Sequence, residues 1–253
     1  NYDKKVILLA GPTASGKSEL AIKLGKYLSG EIINADSMQV YKEISILSSK
    51  PEKRDIKIIR HHLYGFQSVK NKFSTGKWLG LAIKKINEQW NKGKTPIVVG
   101  GSGLYFKALT DGLVKIPNIP ERIRKEIRKS HSLIGQKKFY KKLIKMDHLA
   151  KKFISASDSQ RTMRAYEVKK YTGKSLFIFK KETKLNFDNS VFKKLFINTP
   201  KEFLHKKIEK RVEQMFRKGA IKEVKSFLRM KINKDLSSSK IIGIKEISDY
   251  IEN

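Results

Sequence analysis

Short runs of consecutive apolar residues alternate, along the first hundred positions, with longer stretches whose apolar residues recur every three or four. Val6-Ile7-Leu8-Leu9-Ala10 and Pro96-Ile97-Val98-Val99 are of the first kind, and Glu31-Ile32-Ile33-Asn34-Ala35 is a shorter stretch of the same character around Ile32-Ile33. Runs of that length without polar alternation predict strands covered on both faces, as in a parallel sheet. Between them the spacing predicts helices over 16–28 and 74–92, the second with Trp78, Leu81, Ile86 and Trp90 as a buried stripe. Those aromatics read as core rather than as platforms for bases. Residues 43–77 are less regular, and Gly93 closes the second helix.

After Pro117-Asn118-Ile119-Pro120 the pattern changes: helical segments over 121–130, 135–146 and 158–172 follow with no strand between them. Strand character returns in Phe192 to Asn198, and Thr199-Pro200 reads as an N-cap and first turn, with Gly219 ending or bending that helix. The division expected is a core begun by 1–116, a mostly helical insert over 117–189, and a return to the core over 190–253.

The first strand delivers the chain into Gly11-Pro12-Thr13-Ala14-Ser15-Gly16-Lys17-Ser18, and a helix follows at once. This is a complete P-loop between strand and helix: backbone N–H groups wrap phosphate oxygens and the helix adds the positive end of its dipole. Lys17 would neutralise phosphate charge, and Ser18 would offer its hydroxyl to Mg²⁺. The fold class expected is therefore α/β, a P-loop NTPase-like parallel sheet flanked by helices, with a smaller helical insertion domain.

Two further strand ends point to the same edge. The second runs into Asp36-Ser37-Met38-Gln39-Val40-Tyr41, which brings a carboxylate to the crevice where open α/β sheets bind ligands. Asp36 could equally cap a following turn. The third runs into Gly100-Gly101-Ser102-Gly103-Leu104-Tyr105, glycines and a serine where a motor ATPase would place an acid. Backbone stripped of side chains there lets something bulky approach, with Ser102 able to hydrogen-bond it. His61-His62 lack acidic or Cys partners at metal-ligand spacing and read as structural or substrate-edge residues. Arg211, beside the apolar stripe of its helix, could be steered inward for a bidentate phosphate contact.

The chain has 253 residues, 39% of them apolar, enough for a sizeable core. It carries 56 Lys+Arg against 24 Asp+Glu, a net charge of +32, which attracts polyanions but also suits many solvated helix faces. In the insert, Arg122, Arg124, Arg128, Gln160, Arg161 and Arg164 carry the basic character, and Arg161 and Arg164 share a helix face that could grip successive phosphates or simply form salt bridges. There is no Cys and no 18-residue apolar run or signal pattern, so a cytoplasmic protein is expected; a first residue of Asn rather than Met suggests missing native sequence.

Six blocks in order, Gly11 to Ser18, Asp36 to Tyr41, His61-His62-Leu63, Gly100 to Tyr105, Gln160 to Val168 and Ile242-Gly243-Ile244-Lys245-Glu246, together resemble the tRNA dimethylallyltransferases, from about residue 4 to the end. The resemblance implies transfer of a dimethylallyl group from its diphosphate to N6 of adenosine 37 in tRNA, releasing pyrophosphate. It implies Asp36 as general base, with Ser102 and Arg211 beside it, a P-loop that holds dimethylallyl diphosphate, and Mg²⁺ near Ser18. Asp36, Ser37, Met38, Gln39, Ser102, Arg124, Gln160, Arg161, Thr162, Met163 and Arg164 match the tRNA-contacting positions. A monomer without membrane attachment is expected, the insert gripping the anticodon arm.

The chain departs from the family's pattern at Ser18 and Ser102, where threonine is usual, at Ile244, where tyrosine is common, at Asp147-His148 and in its end at Asn253. A P-loop kinase or an enzyme prenylating free adenine nucleotides would share the loop; neither needs the Gln160 to Arg164 helix.

Overall fold

The computed structural model describes residues 4–181, 183–233 and 236–252. The chain forms two compact units, residues 1–110 with 186–253 and residues 111–185. The edges 111 and 185 stand against the 117 and 189 read from the sequence.

In the first unit, the described residues build a five-stranded parallel sheet of order β3-β2-β4-β1-β5, from β1 (Val6–Ala10), β2 (Glu31–Asn34), β3 (His61–His62), β4 (Pro96–Gly100) and β5 (Phe192–Phe196). Every residue of β2 and β4 is buried, β4 as an unbroken apolar run and β2 with its two polar ends, Glu31 and Asn34, hydrogen-bonded inside. β5 buries only Phe192 and forms an edge through its pairing with β1. β4 lies between β1 and β2, so the exits of these three strands are neighbours, with Leu9 beside Val99 and Asn34 beside Val99 in register.

Helices α1 (Lys17–Tyr27), α2 (Lys53–Ile58), α3 (Thr75–Trp90) and α4 (Gly103–Asp111) follow β1 to β4. In α3 the buried face is Trp78, Leu79, Ala82, Ile86, Gln89 and Trp90. Leu81, assigned to that face from spacing, is half-buried, and Leu79 and Ala82 take its place. Ser74 caps α3 by accepting the Lys77 N–H at 3.3 Å. Trp78 stacks on Tyr105 with ring centroids 4.2 Å apart and donates Nε1 to the Asn34 carbonyl at 2.7 Å. It is core, as its spacing indicates.

Sequence periodicity missed α2 and α4, both too short for a repeat to register, and the two-residue strand β3. The histidines of β3 are structural. His61 Nδ1 donates to the Ile59 carbonyl at 2.8 Å, and His62 Nε2 donates to Glu31 Oε2 at 2.6 Å, with Lys94 on the other carboxylate oxygen. Glu31 begins β2, so this cluster lies at the end of the sheet opposite to Asp36.

The remainder of the first unit holds α8 (Lys201–Arg217), α9 (Ala220–Arg229) and α10 (Ile244–Glu252). Pro200, not Thr199, occupies the N-cap of α8, one residue later than expected; a proline's φ of −55° with ψ of 142° already gives the extended entry a cap needs. Gly219 at φ 97° ends one helix and caps the next. Ile244 is buried with Val40, Tyr41, Ile44, Val69, Phe227 and Ile241, so an apolar core contact stands where a tyrosine hydroxyl is common.

In the second unit, α5 (Glu121–Met146) is broken at Gly135, whose φ of 74° and ψ of 163° are not helical. This is the interruption expected between 130 and 135, displaced to the glycine that permits it. α6 (Ser159–Thr172) and α7 (Leu176–Lys181) complete the unit, with Leu143, Ala150, Ile154 and Ala165 at its centre.

Two predictions follow from this packing. A Cβ on Gly100 would lie 2.1 Å from the Ala35 carbonyl oxygen and 2.8 Å from the Asp36 nitrogen, so Gly100→Ala must push backbone apart. It should lower unfolding free energy in urea by about 1–3 kcal/mol, the range for overpacked sites. Burial lowers the pKa of His61 and of His62 below 6.5, outweighing the Ile59 carbonyl at the first and the Glu31 carboxylate at the second. Both are held neutral in the fold, so the unfolded chain takes up protons first and stability drains away as pH falls. Urea midpoints should drop between about pH 7 and pH 5, and His62→Gln should flatten that slope.

Candidate active site

Three strand exits meet at one edge. β1 turns into the P-loop, where Ala14 and Gly16 adopt positive φ of 63° and 89°. Alternation of left-handed residues with ordinary ones aims successive N–H groups inward, the concavity that binds anions. Ala14 tolerates this conformation at some strain, whereas Gly16, directly before α1, does so freely. The Ser15 hydroxyl is buried and has no hydrogen-bond partner among the described residues. An orphaned donor in this cradle suits a phosphate oxygen. Lys17 Nζ donates to the Pro12 carbonyl at 2.5 Å, folding back over the loop.

β2 exits through an Asx turn that sequence reasoning overlooked. Asn34 is fully buried; its Oδ1 accepts the Asp36 N–H at 2.8 Å and its Nδ2 donates to the Asp36 and Leu63 carbonyls at 2.9 and 3.0 Å. An Asn two residues before the strand-end Asp was the available signal, since Asn side chains bond the backbone two residues on. Asp36 Oδ1 then accepts the Met38 N–H at 2.9 Å. Its other oxygen, Oδ2, faces Gly101, where an added Cβ would sit 3.9 Å from both Oδ2 and the Gly11 carbonyl. The glycines at the β4 exit therefore let Asp36 and the P-loop approach each other across β4.

Ser102 ties these exits together. Its N–H donates to the Ala35 carbonyl at 3.1 Å, its Oγ accepts the Ser37 N–H at 2.9 Å, and the same hydroxyl donates to Ser37 Oγ at 3.2 Å. Gln39 turns away from this cluster and donates Nε2 to the carbonyls of Ser48 and Ser49 at 2.9 and 3.0 Å.

α8 contributes Arg211, half-buried, whose Nε donates to Ser49 Oγ at 2.9 Å. Ser49 was another residue no sequence signal marked. Burial lowers the pKa of Lys17; the Asp36 carboxylate opposes that effect and Arg211 adds to it. Burial likewise lowers Arg211, again opposed by Asp36. Lys17, Asp36 and Arg211 thus share one electrostatic neighbourhood. Burial also pushes the Tyr64 and Tyr105 phenols well above the usual value, with the Asp36 charge contributing to both, so they stay neutral around it.

For a divalent cation the donors available are those of a hard ion. Ser18 stands exposed at the start of α1. Among the described residues no group of three or more His, Cys, Asp or Glu could hold a metal. That donor set fits Mg²⁺ carried by substrate phosphates and waters with one protein hydroxyl, and does not fit an all-protein cage.

In the second unit, α6 presents Gln160 and Arg161 to solvent, with Arg161 Nε 3.4 Å from Asp158 Oδ2 and Arg164 Nη1 3.1 Å from Glu167 Oε2. Met163 is half-buried, and Thr162 is fully buried, its hydroxyl donating to the Asp158 carbonyl at 2.6 Å and accepting from Gln136 at 3.1 Å. On α5, Arg124 is half-buried, and its Nε has no partner among the described residues.

The family model described as IPP transferase matches residues 39–253, a stretch that opens three residues after Asp36. A tRNA dimethylallyltransferase of Pelagibacter ubique (strain HTCC1062) is 53% identical over 98% of this chain and 79% of its own length. One of Rickettsia bellii (strain OSU 85-389) is 45% identical over 99% and 79%. Among solved structures, a eukaryotic dimethylallyltransferase acting on tRNA superposes with a TM-score of 0.83 at 28% identity, over 98% of this chain and 63% of that one. The full-length tRNA isopentenylpyrophosphate transferase of Bacillus halodurans gives 0.66 at 30%, over 98% and 78%. A parallel sheet with its P-loop, carboxylate and paired glycines on one edge, and relatives this similar over nearly the whole chain, lead to one conclusion: the chain belongs to the tRNA dimethylallyltransferase family.

Proposed function

We propose that the protein transfers a dimethylallyl group from dimethylallyl diphosphate to the exocyclic N6 of adenosine 37 in tRNA, with Asp36 as general base. The observation that carries this is the placement of Asp36: one carboxylate oxygen is held by the Met38 N–H, and the other faces the gap over Gly101 beside the P-loop.

An aromatic exocyclic amine is a weak nucleophile because its lone pair is delocalised into the ring. A base that accepts the N6 proton as the new bond forms keeps positive charge from building on nitrogen. Asp36 Oδ2 takes that proton. The N6–C1 bond forms as the C1–oxygen bond to diphosphate breaks, and pyrophosphate leaves with the bonding electron pair. Negative charge growing on the leaving oxygens is met by the P-loop amides, the Ser15 hydroxyl, Lys17 and Arg211, all of which are in place before reaction. The Ser18 hydroxyl, with the diphosphate oxygens, would hold Mg²⁺, which would supply further neutralisation of the leaving group.

The Ser102 hydroxyl, bonded to Ser37, holds the turn on which Asp36 sits. A stacked base offers no access to its amine, so adenosine 37 must leave the anticodon-loop stack before it meets Asp36. The second unit binds the anticodon arm through Arg124, Gln160, Arg161 and Arg164. Thr162, buried on Asp158 and Gln136, shapes that helix rather than touching RNA.

Incubating the protein with labelled dimethylallyl diphosphate, Mg²⁺ and either unmodified tRNA or AMP tests the reading. Label should enter tRNA alone; label in AMP would assign a free-nucleotide prenyltransferase instead. Asp36→Ala should lower turnover by roughly two to four powers of ten while tRNA still binds in a filter assay. Full turnover by that variant would remove Asp36 as the base.

A further inference from the structure

We infer that Glu223, on α9, is a positioning residue for diphosphate binding: it pins the 45–49 loop from which Arg211 and Gln39 are held. This rests on the reading of the P-loop as a prenyl diphosphate site.

One carboxylate accepts three backbone N–H groups. Glu223 Oε1 takes those of Ser45 and Ile46 at 2.6 and 2.9 Å, and Oε2 takes that of Leu47 at 3.0 Å. Three consecutive amides converge only if the chain curls, and it does: the Ser49 N–H reaches the Ile46 carbonyl at 3.0 Å and the Lys50 N–H the Ser45 carbonyl at 3.2 Å. Ser49 itself sits at a φ of 50°, which a serine adopts only when its surroundings demand it. Without an acceptor the three converging donors would be left unpaired, and the curl would open toward water.

The curl delivers two things to the site. It presents the Ser48 and Ser49 carbonyls to Gln39 Nε2, and the Ser49 hydroxyl to Arg211 Nε. With Nε engaged on Ser49, Arg211 keeps its terminal nitrogens as the fork that recognises phosphate oxygens. Lys50 closes the curl from the other side, with Nζ on the Tyr41 and Lys42 carbonyls at 2.8 and 3.0 Å. Lys50 is lowered by burial and partly restored by the Glu223 and Glu43 charges, so the carboxylate also offsets a buried cation. The adjoining helices therefore hold the loop together: α9 fixes its amides, and α8 reads its hydroxyl with the very side chain that faces Asp36.

The test compares wild type, Ser49→Ala, Glu223→Gln, Arg211→Ala and the two double variants with Arg211→Ala. Each is titrated with inorganic pyrophosphate and Mg²⁺ by calorimetry, and assayed for transfer to tRNA with KM and kcat separated. Glu223→Gln and Ser49→Ala should each weaken pyrophosphate roughly tenfold and raise KM for dimethylallyl diphosphate more than they lower kcat, as loss of one charge-assisted bond predicts. Neither should worsen Arg211→Ala, since all three act through one guanidinium. The inference is overturned if Glu223→Gln lowers thermal stability but leaves pyrophosphate affinity intact, or if its effect adds in full to that of Arg211→Ala. Wild-type protein that binds no pyrophosphate would instead overturn the diphosphate reading, and this inference with it.

Discussion

At the C-terminal edge of the sheet, the backbone of Gly100 lies directly against the carbonyl of Ala35, with room for hydrogen and nothing larger. β4 runs between β1 and β2, so anything at its exit separates the P-loop from the Asp36 turn. An acid at this exit, as in a nucleotide-hydrolysing relative of the fold, would fill the space in which Oδ2 of Asp36 and the Gly11 carbonyl face one another. In this chain the carboxylate follows β2 instead, and glycines occupy the β4 exit. Ser102 then fastens the β4 exit to the β2 turn through its amide and its hydroxyl.

Charge in the pocket follows from that geometry. Asp36 favours the protonated forms of Lys17 and Arg211, while burial of both cations works against them. Arg211 adds to the lowering of the Lys17 pKa, so an anion bound between the two cations would relieve their mutual repulsion. The phenols of Tyr64 and Tyr105, kept neutral by burial and by the same carboxylate, add no charge around Asp36.

The second unit works on a different principle. Arg161 and Arg164 each pair with an acid on their own helix, and the Arg161 pair is largely exposed. Exposed pairs contribute little, so the Arg161 guanidinium is held only loosely by its carboxylate. Buried Thr162 and the Gln136 amide beneath it fix the helix that presents them.

Much of the fold could be read along the chain, because β1, β2, β4 and the P-loop carry local signals: unbroken apolar runs, a glycine before a helix, an Asp at a strand end. Those signals also named Lys17, Asp36, Ser102 and Arg211. They were silent on β3 and α2, too short for periodicity, and on Asn34, Ser49 and Glu223, whose roles depend on partners far away in the chain. Residue types and local turns are fixed by neighbours a few positions apart, so sequence alone determined which chemistry the chain carries. Which strand lies between which, and hence that Gly100 must meet Ala35 and Glu223 must meet the amides of Ser45 to Leu47, was decided only when residues more than sixty positions apart packed together.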